Sequence, residues 1–173
     1  TNYGEVTFPA IVAPANVMIA GICGASEVGV TYENCKNVGP ITAFANGTNK
    51  YVQVAGIVGG GTDYNIVDCS NDAAITIDTR NMNTIYAGGI VGTFKMAEGN
   101  TAQLKEDKSF GHISSSSARA GLLIGTSRYD GYGAITATDC VVGGKLTDPL
   151  NGYNGKEITS ENFDDKNNML ISY

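Results

Sequence analysis

Four groups of residues in this chain could do chemistry, and each points to a different kind. The cysteines are Cys23, Cys35, Cys69 and Cys140. Thiols can cross-link, hold a soft metal ion, or pack as small apolar groups. Directly before three of the cysteine positions or their equivalents stand Asp68, Glu106 and Asp139, with Asn34 at the fourth. Carboxylates brought close together bind a cation or raise one another's pKa, the starting point of acid–base work on a polysaccharide. His112 is the single histidine. The aromatics Tyr32, Tyr64, Phe94, Tyr129 and Tyr132 recur at similar intervals, with Arg128 and Asp130 beside the last two. Exposed rings of this kind stack on sugars while polar neighbours take the hydroxyls; tyrosines with one apolar side also simply cover a core.

What these groups can do depends on what positions them, and the chain is built from a repeat. Ile19-Ala20-Gly21-Ile22-Cys23-Gly24 returns as Val54-Ala55-Gly56-Ile57-Val58-Gly59, then as Ala87-Gly88-Gly89-Ile90-Val91-Gly92, then as Ala120-Gly121-Leu122-Leu123-Ile124-Gly125. A second motif interleaves with it. Asn34-Cys35-Lys36-Asn37-Val38-Gly39-Pro40-Ile41 resembles Asp68-Cys69-Ser70-Asn71-Asp72-Ala73-Ala74-Ile75, and the spacing survives from Asp107 to Ile113 and from Cys140 to Leu146. Asn2-Tyr3-Gly4-Glu5-Val6 matches Asn37 to Ile41, so the chain opens inside a repeat, and further repeats or another domain are expected before Thr1.

Each unit of about 34 residues reads as three short strands separated by turns, as in Ile41 to Ala45, Tyr51 to Val58 and Asn65 to Cys69. Three such strands cannot bury a face alone, but stacked on their copies they can. The expected fold is therefore all-β: a right-handed parallel β-helix, or β-solenoid, of about four coils. An antiparallel sandwich is the alternative, but it does not normally produce self-similar units. Val17, Val52, Ile85 and Ala118 should form one inward column, and Ile19, Val54, Ala87 and Ala120 another, with Met18, Gln53, Tyr86 and Arg119 facing outward. Alternation alone would place Ile22, Ile57, Ile90 and Leu123 outside; a bend at the preceding glycines would turn them in.

The last two units carry longer segments between their closing glycine and the cysteine position, Thr93 to Asp107 and Thr126 to Cys140, which should bulge from one corner of adjacent coils. The solenoid is expected over 1–147, with 148–173 as a capping segment that covers the last open strand edge. Within that segment Ser160 to Asp165 could make a helical turn.

Composition narrows the function. Six leucines against 28 isoleucines and valines suit strands rather than helices. A net charge of −6 with scattered basic residues argues against nucleic acid, and no run is apolar enough to span a membrane. Stacking places Cys35 and Cys69 one coil apart, near enough for a disulfide, but in-register side chains point the same way, which favours a packed thiol ladder. Zinc lacks a Cys-x-x-Cys pairing, so no metal and no cofactor is expected. The acids read as solvated surface groups and His112 as a surface histidine.

The Gly-Gly-Ile-Val-Gly strand at Gly88 to Gly92 and the Asn-Cys-x-Asn-x-Gly-x-Ile element at Asn34 to Ile41 resemble the glycine-rich GLUG-like repeats of bacterial surface proteins, including adhesins and IgA-cleaving peptidases. The ending Ile158 to Phe163 is similar to the closing segment of such proteins from gut anaerobes. The third unit departs from the pattern by lacking cysteine, and Leu122 replaces a glycine in the fourth. The resemblance implies a secreted or surface-attached, adhesin-like β-helical repeat, outer-membrane anchoring included, and carries over no catalytic residue. The expected role is non-catalytic adhesion or glycan interaction, with a glycan or a host or cell-surface protein as partner. A polysaccharide lyase or hydrolase and a pure spacer are the alternatives. The candidate ligand-binding residues are Tyr129, Tyr132, Arg128, Asp130, Phe94 and Tyr64.

Overall fold

The computed structural model describes residues 1–9, 16–46, 51–80, 85–115, 119–129, 134–147 and 157–158. Equivalent strands of successive repeats lie on one another in parallel register, so β-branched residues of one winding meet those of the next. Sheet I joins Val6–Phe8, Ile41–Asn46, Ile75–Arg80, Ile113–Ser115 and Leu146–Thr147. Sheet II joins Val17–Ala20, Val52–Ala55, Ile85–Gly88 and Arg119–Gly121, and sheet III joins Cys23–Ser26, Val58–Thr62, Val91–Met96 and Ile124–Tyr129. Sheet IV joins Thr31–Glu33, Asn65–Val67, Thr101–Lys105 and Ala134–Thr138. Sheet V joins Lys36–Asn37, Ser70–Asn71, Lys108–Ser109 and Cys140–Val142. The chain is thus an all-β parallel solenoid, in keeping with the expected right-handed β-helix. Each winding is divided more finely than the sequence suggested, into five strands.

The expected columns stand. Val17 pairs with Val52 and Val52 with Ile85, while Ile19, Val54, Ala87 and Ala120 form a second file; Ala118 lies outside the described residues. Ile41, Ile75, Ile113 and Leu146 pile up in sheet I. These files, with Ile57, Ile90 and Leu123, form the dry interior. Burial of each large side chain contributes roughly 1.5–3 kcal/mol. The two long segments of the third and fourth units do lie together, with Thr101 to Lys105 paired to Ala134 to Thr138.

The glycine signature has a specific cause. Sheets II and III pack face to face, and the closing glycines are where their backbones meet. A methyl group at Gly59 would sit 2.9 Å from the Ile19 nitrogen, one at Gly92 3.0 Å from the Val54 nitrogen, and one at Gly125 2.7 Å from the Ala87 nitrogen. The bend that precedes them turns Ile57, Ile90 and Leu123 inside, as a bend at the glycines requires, while Ile22 on the first winding is only partly buried. At that bend Gly21, Gly56 and Gly89 lie against the side chains of Asn37, Asn71 and Ser109. One expectation fails here. Gln53 and Tyr86 do not face solvent; each is 5% exposed, because sheet III covers the face of sheet II that alternation alone would leave outside.

Two features set the corners. Asn34, Asp68, Glu106 and Asp139 all have positive φ, from 48° to 58°, at the turn from sheet IV to sheet V. Asn and Asp tolerate this left-handed conformation better than other side-chain-bearing residues. Inside the next strand, Asn2 Nδ2 donates to Asn37 Oδ1 and Asn37 Nδ2 to Asn71 Oδ1, both at 2.8 Å. This amide ladder also reaches the Gly39 and Ala73 carbonyls, which satisfies buried backbone at the corner. At the far end, Glu157–Ile158 adds to sheet V antiparallel, pairing Ile158 with Cys140 and Glu157 with Val141. The Ser160 to Asp165 turn falls outside the described residues.

Candidate functional site

The turn from sheet III to sheet IV is the corner where the sequence places its aromatics, and two of them are not available to a ligand. Tyr64 and Phe94 are 0% exposed. Their rings lie 4.3 Å apart, and the Tyr64 hydroxyl donates to the Thr93 carbonyl at 3.1 Å. Both are corrected from ligand-binding to core residues: Phe94 has Gly61 below it in register, and Tyr64 packs into the space that glycine leaves open. Burial pushes the Tyr64 phenol well above its ordinary pKa. Tyr32 is half-buried and meets Tyr64 edge-on at 6.1 Å. Arg128 and Tyr129 pair through their backbones with Lys95 and Met96. Their side chains, with Asp130 and Tyr132, lie outside the described residues.

The same corner carries polar groups that sequence reading passed over. A shallow groove of about 360 Å³ is lined by Val28, Gly29, Asp63, Asn65, Gly99, Asn100 and Thr101. Its walls come from three successive windings. Gly29 and Gly99 both have φ of +78°, and Asp63 has φ of 52°. Asp63 ties the turn above it by accepting from the Ala97 amide and from Asn100 Nδ2, both at 2.8 Å. Asn65 Oδ1 accepts from the Gln103 amide at 3.0 Å. The result is a row of amide and hydroxyl groups held by a stiff frame.

The cysteine column behaves as a packed ladder. All four cysteines are free thiols. The Cys35 amide donates to Cys69 Sγ at 3.4 Å, and the Cys69 amide donates to Asp107 Oδ1 at 2.8 Å. Burial pushes the Cys69 and Cys140 thiols up to about 12, which keeps them protonated at neutral pH. Asp107, 0% exposed in the same file, is pushed up to about 7, chiefly by desolvation. Among the described residues no group of three or more His, Cys, Asp or Glu side chains is placed to hold a metal ion.

The acids Asp68, Glu106 and Asp139 do stand on successive windings, since the Asp68 amide donates to the Lys105 carbonyl and the Glu106 amide to the Thr138 carbonyl. Their recurrence is accounted for by the positive φ of that corner. Lys108 lies 3.9 Å from Asp68 and Lys105 3.2 Å from Glu106, exposed pairs worth little energetically. His112 is exposed, with Nε2 2.7 Å from Thr147 Oγ1.

A second opening lies between sheets II and III, where they diverge from their glycine contact. It encloses about 230 Å³ and is lined by Asn16, Met18, Gln53, Gly61, Thr62, Thr93 and Lys95. Gln53 and Thr93 were missed because period-two alternation marks Gln53 as solvated surface; only the packing of one sheet on another reveals a cleft. No protein-family model, curated protein or solved structure matches the chain. Among the described residues no helix is long and apolar enough to cross a membrane.

Proposed function

We propose that this chain is a non-catalytic, adhesin-like β-solenoid domain of a secreted or cell-surface protein, acting through glycan interaction. The observation that carries the reading is the polar groove at the III–IV corner, where Asn65, Asn100 and Thr101 are presented by a rigid stack of windings. Amides and hydroxyls on a stiff support suit carbohydrate hydroxyls, because little ordering entropy remains to be lost on binding. Long loops on such scaffolds commonly carry recognition. The resemblance to glycine-rich surface repeats supports the same setting.

The test is retention of the purified chain on a broad glycan array. Binding to a defined glycan class, weakened by Tyr132→Ala or Thr101→Val without a fall in melting temperature, supports the proposal. A blank array, with full stability of the chain, makes the domain a spacer instead. Release of soluble product from a polysaccharide panel, lost on Asp68→Ala, would make it an enzyme.

A further inference from the structure

We infer that the cleft between sheets II and III is a binding subsite for a single pyranose ring, with Gln53 and Thr93 as its recognition residues. The inference rests on the glycan reading above but names a different place from the corner groove. Its origin lies in one missing side chain. Gly60 is paired in sheet III with Thr93 one winding on, and it leaves the space opposite Gln53 open. The Gln53 amide enters that space, since a methyl group on Gly60 would collide with Gln53 Oε1.

Two polar atoms there lack partners. Gln53 Oε1 and Thr93 Oγ1 are buried and have no hydrogen-bond partner among the described residues, and the residues are 5% and 4% exposed. Leaving such a group unsatisfied costs about 1–3 kcal/mol, so a ligand hydroxyl that reaches either atom recovers that cost. Gln53 Oε1 can only accept, and the Thr93 hydroxyl can donate or accept, which together suit neighbouring ring hydroxyls. Lys95 and Asn16 stand in the lining with them. Size sets the other limit. A volume of about 230 Å³ falls below the ~300–1,000 Å³ of sites for drug-sized ligands. It exceeds several times the ~30 Å³ share of one water. That range fits one sugar ring.

The experiment is amide NMR on the full chain titrated with methyl glucoside, galactoside and mannoside. At least one should shift the Gly60 and Thr93 amides and the Gln53 side-chain amide, with a Kd on the order of 1 mM. Gln53→Leu and Thr93→Val should each weaken that binding about tenfold, the loss of one ligand hydrogen bond. Gly60→Ala, whose methyl group meets the flexible ends of Gln53 and Met18 rather than backbone, should keep the fold and close the subsite. Unchanged affinity in folded variants, shifts confined to other residues, or crystals soaked in the responding glycoside that hold water alone in the cleft would each overturn the assignment. If the array retains the chain while these variants bind it as wild type does, the subsite is wrong and the glycan reading stands. If neither the array nor any glycoside binds, both fall.

Discussion

Asp107 stands where the windings before and after it carry Cys69 and Cys140, and it shows how one side chain can make this scaffold sensitive to pH. Its carboxyl is fully buried, accepts the Cys69 amide through Oδ1, and has no partner for Oδ2 among the described residues. Desolvation is the main cause of its rise to about 7; the Cys69 and Lys105 amides oppose it, and the charges of Asp68 and Glu106 add to it. The folded state therefore holds a proton that the unfolded state releases near pH 4. Stability is fully present below that point and falls as pH rises toward about 7, by a few kcal/mol at most. Urea unfolding across that range should show the decline, and Asp107→Asn should flatten it. A decline of equal size in the variant would assign the effect elsewhere. The glycines make a second residue-level prediction. Gly92→Ala should cost at least about 1–3 kcal/mol, because its obstacles are the Gly59 and Val54 backbones, which cannot turn away. Gly29→Ala, with open space around it, should cost only the roughly 1–2 kcal/mol of its left-handed φ.

At the level of elements, the amide ladder of sheet V does for the corner what the apolar files do for the core. Removing Asn71 with Ala takes the acceptor from Asn37 Nδ2 and the donor from the Ala73 carbonyl, leaving both buried. A loss of about 2 kcal/mol in unfolding free energy is the expected result. An Asn71→Ala protein as stable as wild type would show that water replaces the ladder. This column was legible in advance, because Asn2, Asn37 and Asn71 recur at matching positions, and so were the files through Val52 and Ile75. The exposure of Gln53 and Tyr86 was not. Alternation within a strand reports which residues share a face, and says nothing about whether a neighbouring sheet covers that face. The same blindness put Tyr64 and Phe94 on a surface: their recurrence marked a corner correctly, but Tyr64 sinks inward beside Gly61 of its own winding, beneath Phe94 of the next, a packing that recurrence alone does not report. The acid column illustrates the opposite case. A pattern that looked chemical has a backbone cause in the positive φ of Asp68, Glu106 and Asp139.

Taken whole, the molecule is a stack whose last strand in sheet V is closed by Glu157–Ile158 running against Cys140–Val142. Parallel stacks with bare edges recruit more strands, so ending the chain at Thr147 should promote self-association. Sedimentation of the shortened chain should show a concentration-dependent rise in mass, and a monomer at all concentrations would assign no protective role to that pairing. The longer third and fourth windings matter at this scale too. A pile of like layers carries an ambiguity that a globule does not: any layer can settle on the wrong neighbour, and isoleucine would still find isoleucine. Among the described residues, the extended match of Thr101–Lys105 with Ala134–Thr138 belongs to one pair of layers in sheet IV. It works like the odd tooth of a key, so that mis-threaded stacks are penalised and one order of assembly prevails. Trimming both segments to the length of the earlier windings would erase that mark, and with it the buried pairing of Ala102 with Ile135.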